Sequence, residues 1–468
     1  MNKRQLLIYL ISALATIAIG TFIAINLGWS GASSADEKLK VAIELNELKP
    51  LQIRQYYPDK KYVLGQALFF DPILSGNRNM SCASCHLLSK GLSDGRPFSI
   101  GPNEGHFSRE LTQTSIEQGV RKRNAPDLWN RDANPVKNLF LDGRIEVLDS
   151  ERKLFRSPLG DLLPKQFKNA LEVQAIFPLV AESEMSGLYG DVSDKSLPTG
   201  HANKKNDLIV KSNYGTEKEK ILSIHTQLLE RLLSKNGKPE AWQVTYRNMF
   251  KDAYPTVKPE ELTIYHVGSA IGHFEELAFA ANNSRWDQYL EGKTDALNSQ
   301  EKLGALVFYG KGYCSACHTG TLLSDFKFYN IGVISDPLTT SKGQFEDLGR
   351  YFATRDMADM YKFRTPPLRN ITKSAPYFHD GSSVTLKEAL NRHANPLKYA
   401  DAYKEDGGVK MEKKHIDAIS PVLLNMPKMN DEEIANLEAF LKTLESQIRV
   451  NADIFPEFVP SGLPVGPR

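Results

Sequence analysis

The chain has 468 residues, a formal net charge of +2, and an ordinary globular balance of 41% hydrophobic and 24% charged residues. That length exceeds one ordinary hydrophobic core and favours two domains. The small net charge gives no indication of a nucleic-acid partner, and no repeat of about 20–50 residues indicates a solenoid or a propeller.

The N-terminal segment, residues 1–35, has the pattern of a membrane anchor or a signal segment. Lys3 and Arg4 precede an uncharged apolar stretch, Leu6–Leu27. A helix that spans a bilayer needs about 20 such residues, and the basic residues would keep its N-terminal side in the cytoplasm. A cleaved signal peptide is the alternative, because Ser33-Ser34-Ala35 could serve as a cleavage site. We predict a retained transmembrane helix, and both interpretations place the rest of the chain outside the cytoplasm.

Beyond residue 35 the predicted elements are mainly helices. Residues 36–54 are polar and predict a tether with a first helix. Residues 186–219 are rich in Gly, Asn, Lys, Ser and Asp, a composition typical of a surface insertion or loop. Apolar residues recur at helical spacing over residues 221–250 and again over 262–279.

Two later helices are predicted from capping boxes, in which a side chain at the helix start and one three residues on satisfy each other's backbone amides. The first is Asn298-x-x-Glu301, and its predicted apolar face is Leu303, Leu306 and Val307. The second is Asn430-x-x-Glu433, and its predicted face is Ile434, Leu437, Leu441 and Leu444. Strand signals are weak throughout, so we predict a mainly α protein with long loops, divided into domains at residues 36–280 and 281–468.

The four cysteines of the chain form two copies of one motif, Cys82-Ala83-Ser84-Cys85-His86 and Cys314-Ser315-Ala316-Cys317-His318. Cys-x-x-Cys-His is the attachment signature of c-type haem, in which both thiols bind the porphyrin and the histidine binds the iron. A zinc ribbon would need the two pairs about 15–20 residues apart, and a thioredoxin-like dithiol does not account for the histidine in both copies. The motifs therefore predict two covalently bound haems.

Several further runs occur in a specific order along the chain: Gly65-Gln66-Ala67-Leu68-Phe69-Phe70-Asp71, Met80-Ser81-Cys82, Arg123-Asn124-Ala125-Pro126, Asp142-Gly143-Arg144, Leu368-Arg369-Asn370-Ile371, Ala375-Pro376-Tyr377-Phe378-His379-Asp380-Gly381 and Glu438-Ala439-Phe440-Leu441-Lys442-Thr443-Leu444. Together they resemble the bacterial di-haem cytochrome c peroxidases, a family that includes the MauG-like enzymes. The resemblance covers roughly residues 45–448, apart from the polar insertion.

This resemblance implies two cytochrome c-like haem domains with different tasks. The N-terminal haem, ligated by His86, would be the site that reacts with peroxide. The C-terminal haem, ligated by His318, would be the electron-transfer centre. Glu184, in the run Glu182-Ser183-Glu184-Met185, falls at the family's acid/base position, where a carboxylate moves a proton between the two peroxide oxygens.

Two positions depart from the family pattern. Many family peroxidases have a His after a Ser-Ile-Gly run, and it caps the peroxide-reacting iron until the enzyme is reduced. Here Pro102 stands at that position, so the site is expected to be open in every redox state unless His106 substitutes. The family usually has Trp before Asp-Gly-Arg, whereas this chain has Leu141. Trp129 either compensates for that change or is a core residue.

A third departure concerns the second axial ligand of the C-terminal haem. Fourteen residues after His379, the peroxidases have Met and the MauG-like enzymes have Tyr, whereas this chain has His393. Two imidazole ligands would make this haem six-coordinate and low-spin, and loss of the soft Met ligand would lower its reduction potential. The alternative is a surface histidine on the helix that follows Leu386.

The resemblance also implies one calcium ion, bound by the Asn124 side chain and by backbone oxygens of Ser374 and Pro376, since oxygen ligands suit a hard cation. The expected function is a di-haem peroxidase that reduces hydrogen peroxide to water. A MauG-like oxidase that modifies a partner protein and a plain electron-transfer cytochrome are the alternatives. The expected electron donor is a small c-type cytochrome, a cupredoxin or a quinol-linked protein. The expected location is the periplasm, with anchoring to the inner membrane. Whether the protein forms a homodimer stays an open question.

Overall fold

The computed structural model describes residues 34–52, 57–99, 123–133, 136–333, 338–340, 343–345, 347–398, 413–446 and 454–466. Within these ranges no helix combines the length and the apolar character that crossing a membrane requires. The predicted transmembrane stretch Leu6–Leu27 lies outside the described residues.

Helices are the main elements of the described residues. In chain order they are α1 (Ala35–Leu45), α2 (Lys60–Phe70), α3 (Cys82–Cys85), α4 (Ala170–Gln174), α5 (Glu217–Leu233), α6 (Ala241–Ala253), α7 (Ile264–Ala278), α8 (Arg285–Leu290), α9 (Ser299–Tyr309), α10 (Tyr351–Thr354), α11 (Leu386–Ala394), α12 (Lys413–Asp417), α13 (Pro421–Leu424) and α14 (Asp431–Lys442).

Strands are short and form small antiparallel sheets. The first sheet has the order β1 (Asn138–Leu139), β2 (Ile145–Asp149) and β3 (Leu154–Arg156). A second pairs β4 (Phe328–Tyr329) with β7 (Phe363–Arg364), and a third pairs β5 (Leu338–Thr340) with β6 (Gly343–Phe345).

The chain divides into two compact units, each with one Cys-x-x-Cys-His motif. The motif-1 unit contains the described residues 57–280, both strands β5 and β6, and residues 454–466. The motif-2 unit contains residues 34–52, 281–333, and the described residues from 347 to 446.

The division differs at both chain ends from the domain boundaries expected from the sequence. Residues 34–52 pack in the motif-2 unit, where Asp36 accepts hydrogen bonds from Tyr289 (2.8 Å) and Lys302 (2.9 Å). Residues 454–466 pack in the motif-1 unit, where the Ser461 hydroxyl donates to the buried Asp71 at 2.6 Å. The N-terminal segment is thus bound to the motif-2 unit and the C-terminal segment to the motif-1 unit, in both cases through polar side chains.

The motif-1 unit is built on a close crossing of α2 and α7. A Cβ atom at Gly65 would lie 2.7 Å from the carbonyl carbon of Ala270 and 2.8 Å from Cβ of Phe274. Carbon atoms ordinarily approach to about 3.5 Å, so only glycine permits this crossing. Around it, Phe69 packs on Phe274 and on Phe279, with ring centroids 5.2 and 5.4 Å apart.

The motif-2 unit repeats this arrangement with α9 and α14. A Cβ atom at Gly304 would lie 2.5 Å from the carbonyl carbon of Asn436 and 2.8 Å from Cβ of Phe440. Phe308 packs on Phe440 at 5.2 Å, as Phe69 does on Phe274 in the other unit. In both units the glycine-bearing helix leads into the Cys-x-x-Cys-His motif, so the crossing positions the motif.

Local sequence accounts for where these helices begin. The Asn298 side chain accepts from the amide of Glu301, and the Glu301 carboxylate accepts from the amide of Asn298. Asn430 and Glu433 form the same reciprocal pair. Both predicted capping boxes are therefore confirmed, and they fix the first turns of α9 and α14.

Two predictions about helices were wrong. The helical spacing over residues 221–250 belongs to two helices, because α5 ends at Leu233, where Ser234 caps it in the left-handed conformation (φ 46°), and α6 begins only at Ala241. Gly237 and Pro239 lie in the break, where proline cannot continue a helix. In α9, Leu303 was expected on the buried face but is 45% exposed, because the face turned to α14 is that of Gly304 and Phe308.

Candidate haem sites

All four motif cysteines are free thiols in partly buried positions. Burial raises the pKa of Cys82 far above its ordinary value, and burial likewise raises the pKa of Cys314 and of Cys317 to about 12. None of them is used in a disulfide, so each motif presents two thiols for thioether bonds, together with its adjacent histidine.

His86 is oriented by the chain that follows it. Its Nδ1–H donates to the carbonyl oxygen of Leu92 at 2.8 Å. A hydrogen bond at Nδ1 fixes the tautomer and turns Nε2 toward the iron in a histidine ligand. Leu92 has a positive φ of 63°, which lets the chain turn back onto the ring. This arrangement fits His86 as an iron ligand.

Glu184 lies in a π-helical turn, Glu182–Ser186, in the motif-1 unit. The amides of Glu184, Met185 and Ser186 all donate to the carbonyl oxygen of Ala181, at 3.0, 2.9 and 3.1 Å. The Glu184 side chain is partly buried. π-Helical turns are frequent at functional sites, and the shared acceptor joins residues 181–186 in one turn.

The neighbouring acid, Glu182, has a different environment. It is exposed and forms an ion pair with Lys220 at 2.5 Å. A carboxylate that faces solvent and a lysine is poorly placed to exchange protons with a buried reactant. Of the two carboxylates, Glu184 is thus the less exposed.

The segment that bears Leu141 is held in place by ion pairs of the next residue, Asp142. Asp142 is buried and accepts from Arg123 at 2.8 Å and from Arg144 at 3.1 Å. Burial alone would raise the pKa of Asp142, but the two guanidinium groups lower it below its ordinary value. Trp129 is a buried core residue, 2% exposed, with its ring edge on Phe279 at 6.5 Å.

The motif-2 unit contains two partly buried histidines, His318 and His393. Nδ1–H of His318 donates to Leu323 at 3.0 Å, and Nδ1–H of His393 donates to Ala389 at 2.9 Å. Burial lowers the pKa of both histidines, and the charge of a protonated His393 adds to the fall in the pKa of His318, which reaches about 4. Two neutral imidazoles with Nδ1 occupied are a donor set that suits axial ligation of one haem iron.

His379 and the remaining described histidines are structural. His379 is buried and stacks on Phe363 with ring centroids 3.7 Å apart. His201, His225, His266 and His415 are also buried, and His273 forms an ion pair with Asp59.

Two of the residues predicted to bind calcium, Asn124 and Ser374, have side-chain hydrogen bonds. The Asn124 side chain is buried and accepts from the Ser93 hydroxyl at 3.2 Å. The Ser374 hydroxyl donates to Ile371 at 3.1 Å, and Pro376 follows a cis peptide bond. The calcium site stays a prediction. Pro102 and His106 lie outside the described residues.

A family model described as di-haem cytochrome c peroxidase matches residues 59–295, half of the chain. The chain belongs to this family. The family predicted from the sequence runs is thus confirmed, and the chain is an oxidoreductase of the cytochrome-c peroxidase type with two c-type haems.

Curated relatives within this family are similar over most of their length. A cytochrome-c peroxidase, IdrP2, of Denitromonas iodatirespirans is 27% identical over 85% of this chain and 85% of its own. A cytochrome c551 peroxidase of Nitrosomonas europaea is 27% identical over 81% and 78%. The methylamine utilization protein MauG of Methylorubrum extorquens is 26% identical over 83% and 79%. The relatives thus include both a peroxidase type and a MauG type.

Solved structures show the same fold. A MauG-like protein associated with microbial copper homeostasis has a TM-score of 0.56 and 23% identity, over 87% of this chain and 98% of that protein. The di-haem peroxidase BthA from Burkholderia thailandensis has a TM-score of 0.56 and 20% identity, over 88% and 92%.

Sequence reasoning missed one charged residue near the Glu184 turn. Arg231 lies on α5 and is 5% exposed, although the face around it is apolar and includes Ile224 and Leu228. A charged side chain at helical spacing within an apolar stripe is itself a signal, because a buried charge requires partners. Its partners are residues of the polar insertion and of the chain that leads to the first motif.

Proposed function

We propose that this member of the di-haem family is a peroxidase that reduces hydrogen peroxide to water, with electrons entering at the C-terminal haem. The observation that supports the proposal is that His318 and His393, both in the motif-2 unit, are each bonded at Nδ1 to a backbone carbonyl oxygen and each have a lowered pKa. Two neutral imidazoles make a six-coordinate electron-transfer centre, and the tyrosine position of the MauG-like enzymes is occupied by histidine. The MauG-type oxidase therefore becomes an alternative outcome of the test.

In this proposal the two units have different chemistry. The bound haems supply the iron that receives electrons from the donor and delivers them to peroxide. Glu184 accepts a proton from one peroxide oxygen and returns it to the other, which leaves as water while the O–O bond breaks. The balance is H2O2 with two electrons and two protons giving two water molecules. Pro102 leaves the peroxide site without the usual capping histidine, so the fully oxidised protein is expected to react.

Steady-state turnover of hydrogen peroxide with a reduced c-type cytochrome, a cupredoxin or a quinol-linked protein tests the proposal. Glu184→Gln should slow the peroxide reaction by about 10²–10⁴-fold while both haem spectra are kept. Glu182→Gln is the matched control and should have little effect, because Glu182 is exposed and paired with Lys220. Inertness of the wild-type protein to peroxide, or covalent change in a partner protein in place of turnover, would refute it.

Spectroscopy tests the second haem separately. Electron paramagnetic resonance of the oxidised protein should show one high-spin and one low-spin centre, and His393→Met should raise the potential of the low-spin centre. If His393→Met leaves that potential unchanged, His393 is not a ligand. Two low-spin centres in the wild-type protein would mean that the first iron is capped, with His106 as the first residue to examine.

The remaining parts of the proposal concern location and calcium. Family members are periplasmic, and we infer a periplasmic protein held at the inner membrane by Leu6–Leu27, which fractionation of cells into soluble and membrane material would test. We also infer one calcium ion with Asn124 among its ligands. Elemental analysis of the purified protein should find one calcium per chain before chelation. Absence of calcium before chelation would contradict the inference.

A further inference from the structure

The polar insertion between the Glu184 turn and α5 lies largely at the surface but buries several of its side chains. We call residues 187–216 the insertion loop. Several of its side chains are almost fully buried, although its composition is that of a surface segment: Ser193, His201, Asn206, Leu208 and Ile209. Buried polar groups need hydrogen-bond partners, and the partners of this loop show which parts of the motif-1 unit it contacts.

Asn206 holds the exit of the Glu184 turn. Its side-chain NH2 donates to the carbonyl oxygens of Ser186 (2.7 Å) and Leu188 (3.1 Å). Between these two residues lies Gly187, with φ +66°. The side-chain oxygen of Asn206 accepts from the amide of Leu208 at 3.0 Å. One amide group thus fixes the backbone on both sides of the glycine where the turn ends.

The next residue, Asp207, links the insertion loop to the chain before the first motif. Its carboxylate is bound by Arg231 and, at 3.2 Å, by Arg78. The Arg231 guanidinium also donates to the carbonyl oxygens of Ile73 (2.8 Å) and Ser75 (2.5 Å). Arg231 is buried, so its charge depends on these partners.

The chain before the first motif contacts the Glu184 turn directly. The amide of Gly76 donates to the carbonyl oxygen of Met185 at 2.7 Å. A Cβ atom at Gly76 would lie 2.5 Å from the side-chain nitrogen of Asn206, so the two segments approach too closely for any other residue. Three segments of the chain, residues 73–78, 185–188 and 206–207, are therefore joined in one hydrogen-bonded cluster.

The positive and negative charges in this hydrogen-bonded cluster are unequal in number. Two guanidinium groups, those of Arg231 and Arg78, face the single carboxylate of Asp207. Burial by itself would raise the pKa of Asp207, but the two arginines lower it below its ordinary value. Burial lowers the pKa of Arg231 to about 10, so both members of the pair stay charged at neutral pH.

We propose that Asn206 is a positioning residue for Glu184, and that the insertion loop, locked by Asp207 and Arg231, sets the position of the Glu184 carboxylate for proton transfer. The inference rests on the acid/base role proposed above for Glu184. Since residues 181–186 form one turn, a displacement at Ser186 is transmitted to Glu184. Misplacement of a catalytic group by about 1 Å can slow a reaction by about 10²-fold.

The test is Asn206→Asp, which keeps the shape of the side chain and replaces its NH2 donor by an oxygen that faces two carbonyl oxygens. The rate constant for the reaction with hydrogen peroxide should fall by about 10–10²-fold. Both haem spectra and the half-saturating concentration of the donor protein should stay unchanged. Hydrogen exchange measured by mass spectrometry should become faster at the amides of residues 184–186. Asn203→Asp makes the same chemical change at an exposed position of the same loop and should change none of these.

A double-mutant cycle separates positioning from other effects. In the Glu184→Gln background, Asn206→Asp should cause no further loss, because the group that it positions is already removed. A full additional loss there, or unchanged kinetics of Asn206→Asp alone, overturns the proposal. If Asn206→Asp does not give haem-loaded protein, Asn206→Ala, which removes the donors without adding charge, goes through the same cycle with the same two outcomes. If Glu184→Gln itself reacts normally, the proposed role of Glu184 has failed, which is a different result.

Discussion

Substitution of Gly65 by alanine tests the helix crossing on which the motif-1 unit is built. The added Cβ would lie 2.7 Å from the carbonyl carbon of Ala270 and 2.8 Å from Cβ of Phe274. Ordinary carbon–carbon contacts begin at about 3.5 Å, so each contact is about 0.7–0.8 Å too short. The first of these atoms belongs to the backbone of α7, which cannot rotate away, so α2 and α7 must separate.

The size of the effect follows from two opposing terms. Overpacking of a core typically costs about 1–3 kcal/mol, and the backbone obstacle places Gly65→Ala at the upper end. Alanine is favoured over glycine within a helix by about 1 kcal/mol, which offsets part of that loss. The expected net destabilisation is about 2 kcal/mol, which lowers the melting temperature by about 4–8 °C for a unit of this size.

Thermal unfolding of the haem-loaded protein, followed by circular dichroism and by the Soret band, measures the change. Gly237→Ala is the matched control in the same unit, because a Cβ there would meet only the flexible Ser234 hydroxyl, at 3.2 Å. The control should stay within about 0.5 kcal/mol of the wild type. Equal melting temperatures for Gly65→Ala and Gly237→Ala would refute the close crossing.

Three further predictions concern stability. Gly304→Ala should destabilise the motif-2 unit in the same way, seen as a lower melting temperature, since its Cβ would lie 2.5 Å from a carbonyl carbon of α14. Burial raises the pKa of Glu275 to about 8 despite the opposing charge of Arg131. The contribution of protonated Glu275 to stability is therefore fully present below its ordinary pKa of 4.5 and is lost as the pH rises toward 8. Glu275→Gln should accordingly flatten the fall in urea-unfolding free energy between pH 4.5 and 8, and an unchanged pH profile would contradict this. Arg369 and Asp287 form a fully buried bidentate pair (2.7 and 2.8 Å). Arg369→Met removes the cation and leaves the Asp287 carboxylate buried without it, so the urea-unfolding free energy should fall by about 3–5 kcal/mol. A loss below about 1 kcal/mol would show that the pair is dispensable.

What the sequence could predict was local. The helix starts at Asn298 and Asn430 were predicted correctly because a capping box involves residues only three positions apart. The break near Ser234 was missed because apolar residues on both sides keep helical spacing, and this pattern outweighed Gly237 and Pro239. The exposed position of Leu303 was missed because helical spacing alone does not tell which face meets α14.

What the sequence could not predict was non-local. Asn206 bonds to Ser186, twenty residues earlier, and Asp207 meets Arg231 across the length of α5. Composition indicated that this stretch lies at the surface but not that some of its side chains are buried, because composition counts polar residues without their partners. His393 was predicted as a ligand only from its spacing from a family run, and the structure adds that its side chain is partly buried, with Nδ1 bonded to the carbonyl oxygen of Ala389.

The two units show that the shared frame does not decide the chemistry. Gly65 and Phe69 in one unit, and Gly304 and Phe308 in the other, make equivalent helix crossings beside equivalent haem motifs. In the proposed function one site reacts with peroxide and the other transfers electrons, and a frame common to both cannot by itself account for that. The proposal therefore assigns the difference to what is added outside the frame: the Glu184 turn with its insertion loop in the motif-1 unit, and the helix that bears His393 in the motif-2 unit. Variants of the frame should therefore alter haem retention and stability, whereas variants of the added elements should alter a single step of the reaction.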